Sequence, residues 1–94
     1  MIVKWEVRLK KKVKTRLDTL PLRVREYVYY LIQDIRQNGP VRGDWPNYGS
    51  LGKNRHHCHL KKGKPTYVAV WEVADPETRL VEVLYVGSHE KAPY

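Results

Sequence analysis

Apolar and charged residues alternate strictly at the start of the chain: Val3, Trp5, Val7 and Leu9 against Lys4, Glu6, Arg8 and Lys10. A period of two puts the apolar set on one face, which predicts a strand with one buried side. From Lys11 to Asp18 the period lengthens. Val13, Leu17 and Leu20 recur at helical spacing with Lys and Arg between them, predicting a first helix. Thr19 before Leu20-Pro21 signals a break, with Thr19 expected to cap a second helix and Pro21 to sit in its first turn. That helix carries Val24, Tyr27, Val28, Leu31, Ile32 and Ile35 as one apolar stripe, best read as core, and stops at Asn38-Gly39-Pro40.

Gly39 to Asn54 reads as the longest loop, with four glycines (Gly39, Gly43, Gly49, Gly52) and two prolines (Pro40, Pro46). Trp45 is expected to pin this loop to the core, while Tyr48 can either pin it or stack on a base. The remainder reads as strands. Asn54–Lys62 and Pro65–Ala74 flank the turn signal Lys62-Gly63-Lys64, and Asp75-Pro76-Glu77 leads into a last strand, Arg79–Val86. The order β-α-α-β-β-β predicts an α+β fold, two N-terminal helices packed on a small, mainly antiparallel sheet.

Size and charge narrow what this fold can do. With 94 residues the chain is expected to form one domain, residues 1–94. Hydrophobic residues at 41% and charged residues at 30% argue against disorder. No apolar run is long enough for a membrane span or a signal-peptide core, and one cysteine, Cys58, excludes an internal disulfide; a cytoplasmic protein is expected. Eighteen Lys and Arg against ten Asp and Glu give a net charge of +8. That excess favours a polyanion, nucleic acid first, with an acidic protein as a compatible second partner.

The candidate chemistry is concentrated in Arg55-His56-His57-Cys58-His59-Leu60. Strand alternation puts Arg55, His57 and His59 on one face, expected to be exposed, and His56, Cys58 and Leu60 on the core side. One fixed cation and two titratable bases suit phosphodiester cleavage without a metal. A neutral imidazole takes the proton of a ribose 2′-OH, an imidazolium protonates the departing 5′-oxygen, and the guanidinium offsets charge growing on phosphorus. His89, after Val86-Gly87-Ser88, stands at a strand end within reach of such a face. Lys91 would hold phosphate and Tyr94 stack on a base, with Lys53, Lys61 and Lys62 as further RNA-binding cations. His56 is assigned to structure. Zinc on His57, His59 and His89 is the rival reading. It is opposed by Cys58 facing the other way, by the lack of a CxxC pair and by the lack of a nearby carboxylate, so neither metal nor cofactor is expected. A buried Cys58 is a poor nucleophile.

Element order, size and charge together resemble the RelE/ParE toxin superfamily, and the likeness is nearest to its YafQ-like ribonuclease branch. It rests on Gly43-Asp44-Trp45-Pro46-Asn47-Tyr48, Val68-Ala69-Val70-Trp71-Glu72-Val73, Cys58-His59-Leu60 and Val86-Gly87-Ser88-His89. The resemblance implies a type II toxin that cleaves mRNA on the ribosome, represses translation and is silenced by a cognate antitoxin. His59 and His89 would be its catalytic histidines and Tyr94 its C-terminal aromatic. The chain departs from the family pattern at Gly39, where relatives often carry a loop histidine, in the absence of a carboxylate in Leu60–Thr66, and in an insertion around Ser50–Asn54. His57 or Lys53 would supply the missing groups. A ParE-like toxin that inhibits a protein such as DNA gyrase, without catalysis, is the alternative on the same scaffold.

Overall fold

The computed structural model describes residues 4–61 and 63–94. Its elements are β1 (Glu6–Leu9), α1 (Lys11–Leu17), α2 (Leu22–Asn38), β2 (Gly49–Gly52), β3 (Arg55–Lys61), β4 (Tyr67–Asp75), β5 (Leu80–Ser88) and a 3₁₀ turn, His89–Lys91. The five strands form one sheet in the order β1-β5-β4-β3-β2. β1 runs parallel to β5 and every other pairing is antiparallel. The α+β prediction holds, with two helices on a mostly antiparallel sheet.

The helical stripe buries as its spacing predicts. Val24, Val28, Leu31 and Ile35 of α2 and Val13 of α1 pack on Cys58, Leu60, Ala69, Trp71, Val81, Val83 and Val86. Burial of a stripe of this kind stabilises by about 1.5–3 kcal/mol per large side chain, against the entropy lost in ordering it. Trp71 is the largest fully buried side chain, and its indole N–H donates to the Pro40 carbonyl at 2.9 Å. β4 therefore holds the start of the long loop as well as packing under the helix.

Several local expectations are corrected. Thr19 does not cap α2. Its hydroxyl donates to the Arg16 carbonyl at 2.7 Å and closes α1 instead, because its oxygen lies nearer the free carbonyls of that short helix. Pro21, one residue earlier than expected, is the residue before α2, where its fixed φ of −54° suits the entry. At the other end Gly39 adopts φ 93° and donates to the Ile35 carbonyl at 2.8 Å. A Cβ there would come within 3.2 Å of the Trp5 indole nitrogen. Gly39 thus closes α2 as its capping glycine.

The sheet also holds a strand that periodicity missed. Gly49–Gly52, read as loop, pairs with the edge of β3 at Gly49↔His57 and Ser50↔His56 before a bulge. Two glycines and a serine in four residues carry no strand signal, and it is the free edge of β3 that recruits them. At the N-terminus the strand begins at Glu6, while Trp5 packs on the core and its N–H bonds to the Arg36 carbonyl. Val3 and Lys62 lie outside the described residues.

Candidate RNA-cleaving site

Strand register maps the sheet face turned away from the α2 core. Its first row is Arg55 on β3, Glu72 on β4 and Glu82 on β5, followed by Arg8 on β1. The second row is Gly49, His57, Val70 and Tyr85, and the third is His59, Val68 and Gly87. Val68 and Val70 are fully buried, although they belong to this face rather than to the helix-side core. The histidine rings and the returning C-terminal tail lie over them.

That return builds the site. β5 ends at Ser88, and the His89 N–H donates to the Thr66 carbonyl at 2.8 Å, tying the strand end to the start of β4. The tail then turns back, so that the Tyr94 ring lies 4.5 Å from His57 and 5.9 Å from His89 between centroids. The His59 and His89 rings stand 5.5 Å apart, edge to face. Three histidines and a tyrosine from opposite ends of the second half of the chain therefore share one cluster. His57 and His59 were expected to be exposed. They are half-buried, because the tail, which strand alternation cannot foresee, folds over them.

Burial, and secondarily the charge of His89, push the His57 imidazole below its ordinary pKa, so this ring favours its neutral form. Its Nδ1 is buried and makes no hydrogen bond among the described residues. Its Nε2 rests against the backbone of Gly49, where an added methyl would stand only 2.8 Å away. The His59 backbone N–H donates to the Pro46 carbonyl at 2.8 Å, which ties the strand to the long loop.

The loop in turn hangs on Asp34 of α2. Trp45 Nε1 donates to Oδ2 at 2.8 Å, while Asn38 Nδ2 and Arg42 Nη1 donate to Oδ1 at 2.8 and 3.1 Å. Burial pushes this carboxyl up, but the hydrogen bonds from Trp45, Asn38 and Arg42 and the charge of Arg42 outweigh it and hold the group below its usual range. Trp45 pins the loop, as expected. Tyr48 does too: its hydroxyl meets His56 Nδ1 at 2.6 Å, and His56 lies stacked between Tyr48 and Trp71. His56 is buried, and that burial lowers its pKa. The thiol of Cys58, on the same side, is fully buried and pushed up to about 12, first by burial and then by Asp44.

The remaining predicted residues scatter. Arg55 shares the histidine face, one row from His57, two residues or about 7 Å along β3. It pairs with Glu72 at 3.1 Å and stands four residues along β3 from His59, about 13 Å at strand rise. Lys53 lies beyond it, in the turn between β2 and β3 with φ 46°. Lys61 and Lys91 are exposed at the histidine end, on β3 and in the 3₁₀ turn. Lys62 lies outside the described residues. Among the described residues no group of three His, Cys, Asp or Glu is set to hold a metal ion, and no helix is long and apolar enough to cross a membrane.

Sequence reading missed Asp34, Gly49, Pro46 and Tyr85 as supports. The Tyr85 hydroxyl donates to the Ser88 carbonyl at 2.8 Å, beside His89. A Cβ on Gly87 would stand 2.7 Å from that hydroxyl, so the glycine makes room for it. The one signal available was the spacing of glycines opposite bulky side chains, and that spacing has no meaning before the register is known.

No family model matches the sequence, and no curated protein matches it. Solved structures do. An E. coli toxin RelE double mutant in the free state superposes with a TM-score of 0.71 at 16% identity, covering 95% of this chain and 86% of that one. The chain has the RelE fold. The archaeal RelE–RelB complex from Pyrococcus horikoshii OT3 gives a TM-score of 0.68 at 13% identity, covering 94% of this chain and 98% of that one. The toxin–antitoxin complex RelBE2 from Mycobacterium tuberculosis gives 0.66 at 20% identity, covering 94% and 100%. On the RelE fold of this chain, the histidine cluster occupies the sheet face that α2 leaves open.

Proposed function

We propose that this protein is the toxin of a type II toxin–antitoxin system, a metal-independent endoribonuclease of the YafQ-like kind that cuts mRNA on the ribosome and represses translation. One observation carries the reading: three imidazoles and a tyrosine converge on one face of the sheet. A protein that only binds another protein has no need of paired acid–base groups. Two of the similar structures are complexes with antitoxins, which supports a cognate antitoxin as partner here.

The chemistry follows from the environment of each ring. His57, held neutral by burial and by the charge of His89, accepts the proton of the ribose 2′-OH. The 2′-oxygen attacks phosphorus in line, forming the 2′-O–P bond as the P–O5′ bond breaks. The facing pair His59 and His89 carries the proton delivered to the leaving 5′-oxygen. The products are a 2′,3′-cyclic phosphate and a 5′-hydroxyl. Lys61 and Lys91 hold phosphate near this end, and the Tyr94 ring stacks on a base.

The test is induction in cells, with translation followed and mRNA ends mapped, for the wild type and for His59→Ala and His89→Ala. Wild-type cleavage with loss of toxicity in both variants is expected. Toxicity untouched by either substitution, or altered DNA supercoiling over intact mRNA, would overturn the ribonuclease reading, the latter in favour of a ParE-like protein inhibitor.

A further inference from the structure

α1 begins where β1 stops. Leu9 pairs with Val83, the Lys10 N–H bonds to the Val83 carbonyl, and the helix then runs beside the second half of β5. It thereby forms a wall along the histidine face. Between this wall and the sheet lies a groove of about 950 Å³, bordered by Lys10, Lys11, Lys12 and Arg16 on the helix side and by Arg55 on β3. Val13, Leu84, Tyr85, Val86 and Pro93 supply its apolar lining, and no acidic residue lines it.

Two contacts connect the groove to the histidines. Pro93 adjoins Tyr94, whose ring lies on His57. The Arg16 side chain reaches the Gly87 position, its Cδ only 3.5 Å from where a Cβ would be, and Gly87 shares a register row with His59. Among the described residues Lys10, Lys11, Lys12 and Arg16 are in no ion pair. Arg55 is half-exposed in its pair with Glu72, and such a pair is weak enough for a phosphate to exchange with the carboxylate.

We propose that this groove is a second nucleic-acid surface, which holds the phosphates and a stacked base of the RNA strand flanking the bond presented to the histidines. The inference rests on the ribonuclease reading and moves Arg55 from catalysis to strand holding. The cations meet the backbone regardless of sequence, while the half-buried ring of Tyr85 and the apolar lining receive a base face. An acidic peptide would satisfy the cations as well. Continuity with the histidine cluster favours RNA, because the groove adjoins the cluster through Pro93 beside Tyr94 and through Arg16 at Gly87.

The test separates binding from cleavage by using a fluorescent, mixed-sequence 2′-O-methyl RNA of about 12 nucleotides, which lacks the attacking hydroxyl. Its affinity is measured by anisotropy against salt for the wild type, Lys11→Ala/Lys12→Ala/Arg16→Ala, Arg55→Gln, and Arg23→Ala/Arg25→Ala on the far helix. The triple variant is expected to bind at least about 10-fold more weakly at low salt, with its log–log salt slope shallower by about 2, roughly 0.7 per lost phosphate contact. Arg55→Gln, on the opposite wall, is expected to lose about one such unit and keeps the test open should the triple variant fail to fold. The α2 variant should match the wild type. Wild-type affinity and slope in the groove variants, or an equal loss in the α2 variant, would overturn the proposal. Tighter binding of an oligoglutamate peptide, with RNA indifferent to the groove variants, would also overturn it and assign the groove to an acidic protein. Failure of the ribonuclease reading registers separately, as intact mRNA on induction in cells while the groove variants still weaken oligonucleotide binding.

Discussion

Replacing Asp34 by Ala removes the acceptor of three side-chain hydrogen bonds, from Trp45, Asn38 and Arg42. The Arg42 guanidinium, only 13% exposed, then keeps a single weaker carboxylate, Asp44 at 3.4 Å. Hydrogen bonds to a charged group contribute about 1.5–3 kcal/mol each and do not add, so the expected cost is about 3 kcal/mol. Spread over a urea slope of about 1–3 kcal/mol per molar, that lowers the midpoint by roughly 1–3 M. Asp34→Asn keeps the shape and part of the bonding and should lose about half as much. The pH dependence fixes the cause. The folded carboxyl sits below its ordinary value of 3.8, so its contribution is fully present above that pH and disappears as pH falls through the folded pKa. The gap between wild type and Asp34→Asn should therefore close only below about pH 3.8. Because the same loop presents the Pro46 carbonyl to the His59 N–H, amide exchange at His59 should accelerate in Asp34→Ala. A midpoint shift under about 0.3 M, or a gap that is constant with pH, would refute the account.

Gly49→Ala brings a methyl within 2.8 Å of His57 Nε2. It should displace that ring, cost about 1–3 kcal/mol and move the imidazole resonances of His57 in NMR while leaving those of His56 in place. Unchanged His57 shifts would contradict the packing. His56 and His57 both lie below their ordinary 6.5 through burial, so the unfolded chain binds more protons as pH falls through that value. Stability should decline on acidification from about pH 6.5 downwards, and His56→Phe should flatten the profile. A flat wild-type profile from 7 down to about 5 would exclude the burial argument.

The alternation Arg55-His56-His57-Cys58-His59 is a local property of an extended backbone, so the division of this strand between core and open face was legible at once. The apolar stripe of α2 and the stop at Gly39 were legible for the same reason. Thr19 was misread because capping depends on which helix end its hydroxyl can reach, and two ends lay within three residues. The strand Gly49–Gly52 was invisible because its hydrogen bonds come from a neighbour's edge and not from its own residue types. Arg55 falls on the histidine face by the same alternation. Its ion pair with Glu72 depends on a register that links residues 17 positions apart.

By itself, then, the sequence determined the elements and their order, the two faces of the histidine strand and the excess of positive charge, all of which follow from neighbours a few residues apart. Only the tertiary structure decided that His89 and Tyr94 return to His57 and His59. It also decided that Asp34 holds the loop behind His59 and that α1 walls a groove in front of Arg55. Each of these depends on which strands pair and in what register, and that is a choice made by the whole core at once.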